Sequence, residues 1–111
     1  MTGGLDNIVE CSKDDWKLFK TRIADWQENY MARLNRQYAE ILNTDQAASV
    51  KFWELEKRIN KDKKGPGVIL EMRKQNMVFY LVSLIDDKVI SFDDLEGFSN
   101  DVQEAVRYLH R

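Results

Sequence analysis

The stretch WKLFKTRIADWQENYMARLNRQYAEI, residues 16–41, decides the fold of this chain. Large apolar side chains recur in it every three or four residues: Trp16, Phe19, Ile23, Trp26, Tyr30, Leu34, Tyr38 and Ile41. At about 100° per residue, these positions share one stripe of an amphipathic α-helix. Ser12 followed by Asp15 supplies an N-cap with an acidic third residue. We therefore predict one long helix over about residues 14–42.

A second helix is predicted over about residues 45–62, because Asn43 and Thr44 end the first helix and cap the next. The same spacing assigns four of its side chains to a core face: Ala48, Phe52, Leu55 and Ile59. The segment KDKKGPG, residues 61–67, interrupts the helical pattern, since Pro66 cannot continue a helix.

The third predicted helix, about 68–86, is apolar in nearly every direction between Met77 and Ile85. A helix of that kind is buried all round, so this one is predicted to be the central element. Ser91 with Asp94 starts a short helix over about 92–97, and Ser99 caps a last helix.

These patterns predict an all-α protein, a compact bundle of about five helices. Its 111 residues suit one domain over 12–111, after a loose lead-in over 1–11. The lone Cys11 excludes an internal disulfide and suits a reducing compartment. The longest apolar run is about half the ~20 residues that a membrane-spanning helix needs. We expect a cytoplasmic protein that makes no contact with a membrane.

The stretch IDDKVISFDDLEGF, residues 85–98, resembles the second half of a calcium-binding loop. If Ile90 takes the apolar eighth position, Ile85 falls on the third position and Lys88 on the sixth, where a ligand and a glycine belong. Asp94 then replaces the bidentate glutamate of the twelfth position. We predict a helix–turn–helix joint without calcium, in which Ile90 is a core residue.

Candidates for catalysis are few. Nucleophilic chemistry by Cys11 needs a neighbouring base, and the single histidine is His110. One histidine and one cysteine leave no zinc set. We predict a protein that is not an enzyme, with no metal and no cofactor.

Charge is distributed unevenly although the formal net charge is only −2. Residues 86–104 hold seven acidic residues against Lys88 alone. A basic region over 57–74 is a candidate contact for nucleic acid, with Phe52 and Trp53 beside it as stacking surfaces. Its cationic members are Lys57, Arg58, Lys61, Lys63, Lys64, Arg73 and Lys74.

The length of the first helix gives the main argument for function. At 1.5 Å per residue it spans roughly 43 Å, whereas a compact domain of this size is about 35 Å across. The overhang needs a cover, which is either the rest of the chain or a partner. The candidate partner-binding surface comprises Trp26, Tyr30, Leu34, Tyr38, Val50 and Trp53.

We therefore predict a protein–protein interaction or regulatory module that self-associates through its first helix as a homo-oligomer of two or more copies, or binds another protein. The alternative is a regulator that binds nucleic acid through the basic region.

Three segments carry a family resemblance: WKLFKTRIADWQENY, FWELEKRI and ISFDDLEGF. They resemble small, functionally uncharacterised bacterial proteins. The resemblance implies a bacterial cytoplasmic origin and assigns no activity or site residue.

Overall fold

A computed structural model describes residues 11–110 of the chain. This part holds four α-helices: α1 (Lys13–Leu42), α2 (Ala48–Asp62), α3 (Met77–Asp86) and α4 (Asn100–His110). It also holds two 3-10 helices, Lys74–Asn76 and Phe92–Leu95, and no strand. The predicted all-α class and the long first helix are confirmed. The predicted lead-in over 1–11 lies outside the described residues except for Cys11.

The first helix begins and ends through specific caps. Ser12 Oγ accepts a hydrogen bond from the Asp15 amide at 3.0 Å, and Asp15 Oδ2 accepts one from the Ser12 amide at 3.4 Å. This reciprocal capping box is the one the sequence predicts. At the other end, the Lys51 ammonium donates to the carbonyls of Leu42 and Thr44, where a cation complements the helix dipole.

The body of the molecule contains the N-terminal half of α1 together with α3, and the two run in the same direction. The Phe19 ring stacks on Tyr80, near the start of α3, with centroids 6.0 Å apart. Further along α1, Arg33 donates to the carbonyl of Val89, just past the end of α3.

The last helix, α4, follows the same direction. Ser99, the residue before it, donates its amide to Asp15 Oδ1 at 2.8 Å, at the start of α1. At its far end, His110 Nε2 lies 2.9 Å from Asp86 Oδ1, the last residue of α3. The three helices of the body therefore run in the same direction.

This direction forces the chain to return along the body between α2 and α3. The return begins where Gln27 donates to the carbonyl of Pro66, and it ends where the Cys11 thiol meets the carbonyl of Lys74. These two contacts, at Gln27 and at Cys11, lie about 24 Å apart along α1 at 1.5 Å per residue. The eight residue steps from Pro66 to Lys74 can cover that distance if they are extended, at about 3.3 Å each, but not if they are helical.

The predicted third helix is shorter for that reason. It begins at Met77, after an extended segment and a 3-10 turn. Its core face is buried as expected, but Phe79 is 49% exposed and Ser83 also faces solvent. The central, fully buried helix is therefore not confirmed. The predicted helix over 92–97 is a 3-10 helix at Phe92–Leu95, so the count of five helices is not confirmed either.

One core holds the body together. It is formed by side chains of α1, α3, α4 and the loop between them: Phe19, Ile23, Met77, Val78, Leu81, Leu84, Ile85, Val89, Ile90, Leu95, Phe98, Val102, Ala105 and Val106. Burying a side chain of this kind stabilises the fold by about 1.5–3 kcal/mol.

The C-terminal end of α1 and the whole of α2 form a helical hairpin that projects from the body. We call residues 34–62 the arm. The molecule measures 60 × 25 × 22 Å, and its radius of gyration is 17.2 Å. A compact chain of 100 residues has a radius of gyration of about 13 Å, so the predicted compact bundle is replaced by an elongated one.

Candidate functional site

The four partner-binding candidates on α1 are covered by their own chain. The Trp26 ring lies 6.5 Å from Phe98, and Tyr30 packs against Gly67. Leu34 is buried and Tyr38 is half-buried at the base of the arm. The overhang of α1 is thus covered largely by α2, which is one of the two covers that the sequence allowed.

A polar network joins the two helices of the arm. The Tyr38 hydroxyl donates to Asp62 Oδ2 at 2.6 Å, and Arg58 donates to Gln37 Oε1 at 2.6 Å. Arg58 also lies over the Tyr38 ring, 5.7 Å from its centroid. Burial and the hydrogen bond to Asp62 raise the pKa of Tyr38 to about 12. These polar contacts orient α2 on α1, beside the buried Leu34 and the half-buried Ile41 and Leu55.

The second helix has no buried side chain. Most of its apolar residues face solvent, including Phe52 at 62% and Trp53 at 63% exposure, while Leu55 is half-buried. The two rings meet edge to face with centroids 4.9 Å apart. With their exposed apolar neighbours they form what we call the arm cluster, which consists of Leu42, Val50, Phe52, Trp53 and Ile59.

The arm cluster keeps two of the predicted site residues and adds three. Val50 and Trp53 are exposed, as a partner surface requires. Phe52 and Ile59 were assigned to the core face, and that assignment is wrong, since the two side chains are 62% and 40% exposed. Adjacent positions on a helix point about 100° apart, so Phe52 and Trp53 cannot both face α1. That spacing was the signal for an exposed aromatic on α2.

Several large apolar groups exposed on one short element, two of them in contact, are a physical indication of an interaction surface. Isolated apolar residues on a surface are ordinary, whereas contiguous patches mark interaction sites in soluble proteins. Aromatic side chains also supply most of the energy at protein interfaces. The arm cluster is therefore the candidate functional site.

The basic candidates separate into two groups. Arg58 and Arg73 are engaged within the chain, with Asp62 and Glu71 respectively. The lysines of α2 and the turn after it are exposed and lie towards the body end of the arm: Lys57, Lys61, Lys63 and Lys64. Lys74 is exposed at the other end of the return segment. The structure does not bring all seven cations onto one surface.

The segment that resembles a calcium loop closes α3. Lys88 has a left-handed φ of 61°, and its amide donates to the carbonyl of Ile85. The amide of Val89 donates to the carbonyl of Leu84 at 2.8 Å, which completes a Schellman motif. Ile90 is buried, as predicted.

The carboxylate of Asp94, the residue in the twelfth position of that loop, caps the 3-10 helix. It accepts hydrogen bonds from the amide and the hydroxyl of Ser91. No group of three or more His, Cys, Asp and Glu side chains within residues 11–110 is placed to hold a metal ion. The exclusion of calcium stays a prediction.

Cys11 and His110 lie at opposite ends of the body. Cys11 contacts Lys74 beside the start of α1, and His110 contacts Asp86 and the Phe92 ring. The 11 residues of α4 separate these ends by about 16 Å. Burial raises the pKa of the Cys11 thiol, which keeps it protonated. The arrangement does not bring His110 to this thiol.

No helix in the described part of the chain is long and apolar enough to cross a membrane. No protein-family model, curated protein or solved structure matches the chain. The arm and its exposed residues therefore carry the functional argument.

Proposed function

We propose that this protein is a protein–protein interaction module, without enzymatic activity, that self-associates through its arm in a bacterial cytoplasm. The observation that carries the proposal is the arm cluster, which leaves two contacting aromatic rings in water. The proposal replaces the first helix by α2 as the docking element, because the α1 candidates already pack against their own chain.

Energetic considerations support a docking role. Burying an exposed Phe or Leu side chain contributes about 1.5–3 kcal/mol. The exposed apolar side chains on any one side of the arm therefore offer several kcal/mol to a partner that covers that side. Association also costs about 4–15 kcal/mol in lost freedom of motion, so the net affinity stays modest.

Sedimentation of the purified protein over low to high micromolar concentrations tests the proposal. We expect a reversible monomer–dimer equilibrium. Phe52→Glu should shift it at least tenfold towards monomer, because a charge would replace an exposed ring at the contact. Phe79→Glu is the matched control, since Phe79 is a similarly exposed aromatic on the body. A wild-type monomer at all concentrations would exclude self-association.

Nucleic-acid binding is the second candidate, favoured by exposed lysines on the same helix as the exposed rings. Stacked bases and neutralised phosphates are the two contacts that single strands make with proteins. Binding of this kind weakens steeply as salt rises. Titration of a fluorescent oligonucleotide at low salt decides the matter. Lys57→Gln with Lys61→Gln should weaken binding if this candidate is right, while no binding at low salt removes it.

A further inference from the structure

The two sides of the arm differ in chemistry. One side carries the Arg58–Gln37 hydrogen bond and an open depression that Glu40 and Glu54 also line. On the other side, each helix presents apolar groups. On α2, Phe52 and Ile59 are seven positions apart and point within about 20° of each other. On α1, helical spacing puts Met31 and Leu42 on the matching flank.

We call this second side the apolar side; it consists of Leu42, Phe52 and Ile59 on the arm and Met31 on the adjoining turn of α1. Three of these residues are exposed large apolar groups, and Met31 is half-buried. The α1 positions between them on this flank are Asn35 and Ala39, which carry no charge. Val50, by contrast, points about 160° away from Phe52.

We propose that the apolar side of the arm binds the same side of a second copy of this chain, and that the two arms form a four-helix bundle. This inference rests on the proposed function and assigns its partner and its contact face. Helical hairpins of this kind reach a buried core when two layers of helices pack face to face. A two-fold axis makes such a contact self-complementary, because each copy offers the same patch.

Charge favours a second copy over a charged partner. The acidic residue nearest to Phe52 and Ile59 on this flank is Glu56, and its carboxylate accepts a hydrogen bond from Asn60. A nearly neutral, apolar surface offers little steering to nucleic acid or to an acidic protein. It does fit an identical neutral surface without placing like charges in contact.

Area sets the strength of the contact. The 15 residues of α2 give a face about 22 Å long, and two helices side by side are about 20 Å wide. The face therefore covers roughly 450 Å² in projection, about half of the roughly 800 Å² per partner that a standard specific interface buries, which is the range of weak, transient contacts. A reversible dimer is the expected result.

Glu56 also selects the direction of pairing. If the two arms pointed in opposite directions, α2 would face α2 of the partner, and the two Glu56 carboxylates would meet near the two-fold axis. If both tips point the same way, α2 faces α1 of the partner, whose flank carries Asn35 and Ala39. Like charges in contact are destabilising, so we infer that the tips point the same way.

Two substitutions of exposed aliphatic residues on α2 test the face. Ile59→Glu should weaken self-association at least tenfold by sedimentation, because it puts a charge on the apolar side. Val50→Glu should leave it within twofold, because Val50 points elsewhere and is equally exposed. The opposite pattern would overturn the inference while self-association through the arm stands. A monomeric wild type would overturn both.

A spin label at the body end of α1 tests the direction. In a Cys11→Ser background, a label on the exposed Lys17→Cys should report a distance of roughly 20–40 Å if the tips point the same way, because the two bodies then lie side by side, about two to four helix diameters apart. A distance above about 50 Å would overturn the parallel arrangement, because opposed arms place each label about 26 Å from the two-fold axis on opposite sides. Circular dichroism on each variant confirms that the chain remains folded, so that loss of a dimer is read as loss of contact.

Discussion

At the residue scale, the single carboxylate of Asp15 joins the start of α1 to the start of α4. Asp15 is 4% exposed and accepts hydrogen bonds from the amide and the hydroxyl of Ser99, both at 2.8 Å, in addition to those from Ser12. Burial alone would raise its pKa, but the hydrogen bonds from Ser99 and Ser12 outweigh it and hold the pKa of Asp15 below its usual value. The capping role of Asp15 was predictable from its spacing to Ser12. The bond to Ser99 was not, because it joins residues 84 positions apart.

Asp15→Asn should lower the free energy of unfolding at neutral pH by about 2–3 kcal/mol, the contribution of hydrogen bonds to a charged group. A group with a lowered folded-state pKa stabilises the fold above its unfolded pKa of 3.8 and loses that effect as pH falls through the folded value. The difference between wild type and variant should therefore shrink below about pH 4. Urea unfolding at a series of pH values measures it. Asp14→Asn, at the exposed neighbouring position, is the control, and an equal loss there would contradict the account.

At the scale of elements, the sequence predicted which segments are helical better than it predicted which helix faces are buried. Periodicity predicted α1 to within one residue at its start, and both capping boxes are present. Apolar spacing on α2 was read correctly as helix, but spacing cannot say what covers a face. The start of α3 was predicted nine residues early, because ILEMRK suits a helix locally. The extended return that replaces this part of the helix is required by the parallel direction of α1 and α3.

The joint between arm and body depends on one close approach. A Cβ added to Gly67 would lie 2.7 Å from Cε2 of the half-buried Tyr30 and 2.8 Å from Cγ2 of the buried Val89. Gly67→Ala should therefore cost about 1–3 kcal/mol through overpacking, measured by chemical denaturation. Gly65→Ala is the matched control, since its Cβ would meet the Asp87 carboxylate, which is free to move. Equal effects of the two substitutions would show that the close approach at Gly67 does not hold the joint.

On the scale of the whole molecule, the body and the arm have different roles. The body buries nearly all of the hydrophobic core, while the arm buries little and exposes aromatic groups. The length of the chain predicted a single domain, and the predicted overhang of α1 indicated an apolar surface that needs a cover. The location of that surface on α2 depends on how the hairpin leaves the body, which involves contacts between residues far apart in sequence, such as Gln27 with Pro66.

Small-angle X-ray scattering across a concentration series tests the central claim most directly. The single chain is 60 Å long. Pairing of the arms with both tips in one direction should double the scattering mass while the maximum dimension stays near the 60 Å of one chain, because the copies lie side by side. A mass that stays monomeric at every concentration would contradict the account, and so would a dimer extended to about 100 Å, the length of two copies overlapping over the roughly 22 Å of α2.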